Sequence, residues 1–229
     1  MECPKCGRPS EDAAAECACC GVIFAKLRER PAIEPPAASA VAAATTAWPV
    51  TRIVRAAVLI ALLAWTWQFA SAGMGVTAQE SFLHLPNLVF HEAGHVLFGF
   101  FGRFMTVLGG SLFQVVVPVI CAVAFVRQGN PFGAAVCAWW AGENLLDLAP
   151  YIGDARALQL VLLGGHTGAE VEGHDWEFLL SQLGWLHKDV ALALAAHRIG
   201  LAIMVAAIVW GVVLLVQNQP EPAVALDEI

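Results

Sequence analysis

Five long apolar stretches set the pattern of the chain, at about residues 51–72, 81–101, 104–126, 131–151 and 199–216. Each is near the roughly 20 residues a helix needs to cross a hydrocarbon core. The pattern predicts an all-α polytopic membrane protein with about five transmembrane helices, its domain covering 51–217. A compact polar segment, 1–30, precedes it. Residues 31–50 are rich in Pro and Ala and nearly uncharged, which reads as a semi-extended linker. A polar tail follows at 218–229.

The longest polar interval, 152–198, lies between the fourth and fifth stretches. Asp154 is placed to cap a short helix carrying Leu158, Val161 and Leu162 on one face, stopped by Gly164 and Gly165. Asp175 is placed to cap another, with Trp176, Leu179, Leu180 and Leu183 at helical spacing.

Composition agrees with the apolar pattern. Hydrophobic residues make up 59% of the chain and charged residues 14%, against about 25% charged in a soluble domain. The lipid bilayer is therefore the first expected partner. Basic residues orient the helices. With the amino terminus inside, all 12 Lys and Arg except Arg127 fall on the inner side. The expected location is an inner (plasma) membrane of bacterial type, with the amino terminus cytoplasmic and the carboxyl terminus outside.

Candidate chemistry comes in two groups. The first is Cys3-x-x-Cys6-Gly7 followed by Cys17-x-x-Cys20-Gly21. Each pair forms a knuckle that offers two thiolates to one ion, and two pairs complete a tetrahedral sulfur site for Zn²⁺. Two disulfides are the competing arrangement, but a cytosolic location keeps thiols reduced. About thirty residues bury too little apolar surface to fold alone, so a structural zinc would supply the folding energy. The stretch resembles zinc-ribbon modules, and a cytosolic protein partner is expected for it. A nucleic-acid partner is not.

The second group is His91-Glu92-Ala93-Gly94-His95, inside the second apolar stretch. Histidines at i and i+4 share a helix face, so both can reach one metal, a second Zn²⁺. Glu92 beside them is placed to act as the catalytic base. Ionisable groups are costly at that depth and call for a compensating partner. A third ligand is sought on the fourth stretch, where Glu143, Asn144 and Asp147 share a region of helix surface. If both stretches run from outside to inside, His91 and His95 lie about 15 and 21 Å deep, and Glu143 and Asp147 about 18 and 24 Å. Asp147 is the preferred ligand on this basis, with Glu143 and Asn144 as secondary candidates. His174 and Asp175, in the inner loop with His166, His187 and His197, form a further candidate metal or substrate site.

An HExxH helix in the membrane with an aspartate on a later helix resembles the site-two protease family of intramembrane zinc metalloproteases. The resemblance covers about residues 81–151. It implies zinc held by His91, His95 and Asp147, water activated by Glu92, and a membrane protein as substrate. The family's aspartate sits in a Leu-Asp-Gly motif, whereas this chain has Leu146-Asp147-Leu148. The expected activity is thus a zinc metalloendopeptidase cutting a membrane or membrane-proximal segment. The rival is a non-catalytic membrane-anchored zinc-ribbon adaptor or metal sensor. Glu92 separates the two, since a structural site needs no base.

Overall fold

The computed structural model describes residues 2–3, 5–11, 14–24, 38–74 and 78–217, with side chains from residue 50 onward in the first helix. The 218–229 tail and residues 25–37 lie outside the described residues. The chain divides into two units, Met1–Trp48 and Pro49–Ile229.

The regular secondary structure of the described residues is helical, with isolated bridges besides. The helices are α1 (Ala38–Ala72), α2 (His84–Phe98), α3 (Arg103–Arg127), α4 (Pro131–Gly153), α5 (Asp175–Gln182) and α6 (Asp189–Val216). The described part of the expected linker is helix, because α1 begins at Ala38. Alanine is the best helix former, and its run there outweighs the prolines that precede it.

Among the described residues, three helical segments are long and apolar enough to cross a membrane: Val50–Ala72, Arg103–Arg127 and Leu186–Val216. The second and fourth stretches do not meet that measure. The 15 residues of α2 rise about 22 Å, short of a hydrocarbon core of about 30 Å. The 23 residues of α4 are long enough but carry Glu143, Asn144 and Asp147, all buried.

Small residues let the helices approach. A Cβ on Gly142 of α4 would lie 2.7 Å from the Gly200 carbonyl oxygen of α6. Gly94 and Gly109 play the same part between α2 and α3, where a Cβ on Gly109 would lie 2.7 Å from the Gly94 oxygen. Around the α4–α6 contact, Leu62 and Phe69 of α1 join Trp139, Leu146 and Met204 in one core. Trp139 donates its indole N–H to Thr66 Oγ1 at 2.8 Å, satisfying a buried polar pair.

The interval 152–198 differs from expectation at three places. Helix α4 runs through Pro150 to Gly153, and no helix follows Asp154. Leu158 has φ 55°, and the Asp154 carboxylate accepts from the Gln159 and Leu160 amides instead, so it organises a turn. The second helix forms as α5, but His174 caps it, its Nδ1 accepting from the Glu177 N–H at 3.1 Å. Finally, α6 starts at Asp189, ten residues before the apolar run at 199. Arg156 anchors that start, its Nε and Nη2 each 2.8 Å from an Asp189 oxygen.

Candidate metal centres

In the amino-terminal unit the four cysteines converge. Sγ of Cys3 lies 3.7 Å from that of Cys20, and Cys6 lies 3.8 Å from Cys17. Sulfurs about 2.3 Å from a common tetrahedral centre would sit about 3.8 Å apart. Each knuckle closes on its own backbone: Gly7 N–H donates to the Cys3 carbonyl and Gly21 N–H to that of Cys17. Both glycines have positive φ, 70° and 66°, as that turn requires. Backbone N–H groups of Cys20 and Cys19 hold the Cys17 thiol pKa down, while burial and the neighbouring thiols push that of Cys20 up, so the thiols share charge as one group. These four side chains can hold a metal ion, while Cys19 stands exposed outside the group.

In the helical unit His91, Glu92 and His95 bring ligand atoms within 4.8 Å of one another. The rings of His91 and His95 are 4.9 Å apart at their centroids. Each ring is oriented through its Nδ1. His91 Nδ1 lies 3.0 Å from Gln114 Oε1, and His95 Nδ1 lies 2.9 Å from the Thr106 carbonyl oxygen. Both partners are acceptors, so each Nδ1 carries a hydrogen and Nε2 is the ring nitrogen turned toward the site.

Both Nε2 atoms face one carboxylate oxygen. Asp175 Oδ2 lies 2.9 Å from His91 Nε2 and 3.3 Å from His95 Nε2. Donors around a tetrahedral zinc at about 2.0–2.1 Å lie roughly 3.3 Å apart. Gly110 of α3 keeps the space open. A Cβ there would lie 2.7 Å from each Nε2 and 2.6 Å from His95 Cε1. Glu92 is exposed and lines a cleft of about 480 Å³ together with both histidines and Asp175.

Asp175 is held in place from several directions. Its N–H donates to the Tyr151 hydroxyl at 2.9 Å, and the neighbouring Trp176 indole donates to Ser111 Oγ at 3.1 Å. Leu179 and Leu180 bury the inner face of α5. His174 is also buried. Its ring packs 4.4 Å from that of Tyr151, and its Nε2 lies 3.4 Å from Asp154 Oδ2 without hydrogen-bond geometry. Burial holds the His174 pKa below its ordinary value, which suits a neutral ring acting as a helix cap. His166, His187 and His197 are absent from the lining of the cleft.

Asp147 stands elsewhere than the depth estimate places it. Its Oδ1 is 2.8 Å from His84 Nδ1, and its Oδ2 accepts from Gln114 Nε2 at 2.8 Å and Asn87 Nδ2 at 3.4 Å. Its link to His91 thus passes through Gln114. The reason lies in how α2 meets α4. His84 and Asn87, on the first turn of α2, meet Asp147 and Glu143, while His91, further along α2, stands beside Tyr151. Glu143 is fully buried against Asn87. Asn144, fully buried, donates back to the Trp140 carbonyl and does not line the cleft.

Sequence reasoning names Asp175 only as a secondary candidate and passes over Gln114, Thr106 and Gly110 as parts of a site. Gln114 carries a signal, being a buried amide in an apolar run. Thr106 acts through its backbone and carries none. Comparison with family models, with curated proteins and with solved structures finds no match. The site is therefore read from its own chemistry.

Proposed function

We propose that the protein is an integral-membrane zinc endopeptidase that cuts a membrane or membrane-proximal segment of another protein. Its zinc would be held by His91, His95 and Asp175. One observation carries this reading. Two imidazole Nε2 atoms converge on one carboxylate oxygen at 2.9 and 3.3 Å, in a space that Gly110 keeps open. A metal ion bound there would take all three as donors. The residue types suit zinc, which takes histidine nitrogen and carboxylate oxygen in open catalytic sites. A second zinc is proposed for the four cysteines, whose thiolates suit that ion in a closed structural site.

Zinc in the open site would supply Lewis-acid polarisation of a scissile carbonyl and acidification of water. The chain's own residues do the rest. Glu92, exposed in the cleft beside the histidines, is free to take a proton from water and deliver it to the leaving amine. A transmembrane substrate must unwind locally to enter, since its backbone groups are otherwise paired. In this reading α2 and α4 lie within the membrane, enclosed by the three apolar spans. The amino terminus faces the cytosol, where the cysteine module meets a protein partner. The exposure of Glu92 to the cleft favours the enzyme over a purely structural adaptor or sensor.

Elemental analysis of the purified protein should find two zinc ions per chain. Cys3→Ser should retain one and keep cleavage of a reconstituted membrane-protein substrate. Asp175→Ala should also retain one but lose cleavage. If Asp175→Ala keeps both ions, the ligand assignment is wrong. If wild type holds one ion and Cys3→Ser none, the second site binds no metal.

A further inference from the structure

We infer that Asp147 acts on the metal site at one remove, as a positioning residue that uses Gln114 to fix the tautomer of His91. The inference rests on the metal-site reading above. It also rests on a chain of donors and acceptors that leaves one consistent assignment. An indole N–H can only donate, and Trp140 Nε1 lies 2.8 Å from Asn87 Oδ1. That turns Asn87 Nδ2 toward the two carboxylates, 2.9 Å from Glu143 Oε2 and 3.4 Å from Asp147 Oδ2. An ionised carboxylate can only accept, so Gln114 presents its Nε2 to Asp147 at 2.8 Å. Its Oε1 then faces His91 Nδ1 at 3.0 Å. An amide oxygen accepts, so Nδ1 of His91 carries a hydrogen, and Nε2 is the nitrogen that offers a lone pair to a metal when the ring is neutral.

The same bonds argue against Asp147 as a ligand. Three donors converge on it, from His84 and Asn87 of α2 and Gln114 of α3. They satisfy a carboxylate that is only 3% exposed. Without that carboxylate, nothing obliges the Gln114 amide to keep its orientation. Turned over, it would donate to His91 Nδ1 and favour the tautomer whose Nε2 carries the hydrogen and cannot bind metal. A carboxylate or carbonyl partner orienting a histidine ligand typically matters by about 10- to 100-fold in metal affinity. Here the carboxylate works through an interposed amide.

The test exchanges the two groups without changing their size. Asp147→Asn alone, Gln114→Glu alone, and the double variant Gln114→Glu/Asp147→Asn are made in the full chain carrying Cys3→Ser, so that one zinc site remains. Zinc affinity is measured by competition with a chromophoric chelator, and circular dichroism checks the fold. Nitrogen-15 histidine spectra of the metal-stripped protein report the His91 tautomer. Asp147→Asn should weaken zinc binding about 10- to 100-fold and mix the tautomers. The double variant should bind within about threefold of its parent and recover the Nδ1–H form. In it, the carboxylate introduced at position 114 accepts from His91, and the amide introduced at position 147 donates to that carboxylate. If the double variant binds no zinc while folded, Asp147 is a ligand and the inference falls. If Asp147→Asn binds as tightly as its parent with His91 still Nδ1–H, Asp147 does not position that ring. If the parent itself binds no zinc, the metal-site reading fails separately, and the tautomer spectra still decide whether Asp147 sets His91.

Discussion

Glu92→Gln should abolish most turnover while leaving both zinc ions in place. Glutamine matches glutamate in shape and keeps a hydrogen-bonding head, but it cannot take up a proton. Glu92 lines the cleft and is exposed, so the change disturbs no core packing and leaves no buried group unpaired. None of the three proposed ligands is touched. Loss of a general base costs on the order of 10² to 10⁴ in rate. The measurement is cleavage of a reconstituted membrane-protein substrate, with zinc determined on the same sample. Cleavage at the wild-type rate would remove the proposed mechanism. A folded, zinc-loaded wild type that cuts none of a panel of membrane proteins would move the balance to the adaptor.

Gly110→Ala should do comparable damage by the opposite route, leaving the proposed base untouched and filling the place proposed for the metal. The added methyl would lie 2.7 Å from both ring Nε2 atoms and 2.6 Å from His95 Cε1, well inside contact distance. The rings cannot retreat freely, because Gln114 and Thr106 hold their other nitrogens. One zinc should be lost and cleavage should fall at least about 100-fold, since an open site with three protein ligands tolerates no displaced donor. Alanine is otherwise a good helix residue, so overall helicity should be retained. Gly99→Ala is the matched control, having no atom within 4 Å of its added Cβ. Equal zinc content in both variants would sink the proposed location.

How much of this is legible in the sequence depends on the range of each signal. The two cysteine pairs and the two histidines lie within a few residues of their partners, and local geometry carries them. The apolar runs likewise mark the helices of the membrane unit, although only three meet the length and composition of a span. Inferences across long separations fail. Counting residues down two helices assumed to run together sets Asp147 beside the histidines. The fold places it beside His84 and Asn87, with Gln114 between it and His91. The apolar period of Trp176, Leu179, Leu180 and Leu183 predicts the helix that Asp175 begins, but no local pattern announces that its carboxylate reaches His91. The start of α6 is hidden because Lys188, His197 and Arg198 make residues 188–198 look like a loop. Their apolar neighbours, including buried Ala193, continue the helix.

The carboxylate that completes the histidine pair is encoded 84 residues after His91. During synthesis the HExxH helix is therefore made, and can enter the membrane, long before its third donor exists. On the proposed ligand set, a chain that has emerged only through α4 carries both histidines and Glu92 but lacks the third donor. The site becomes whole only after α5 is made and docks through Leu179, Leu180 and the Trp176–Ser111 bond. With those ligands, a chain lacking α5 would hold no complete metal site at the histidines.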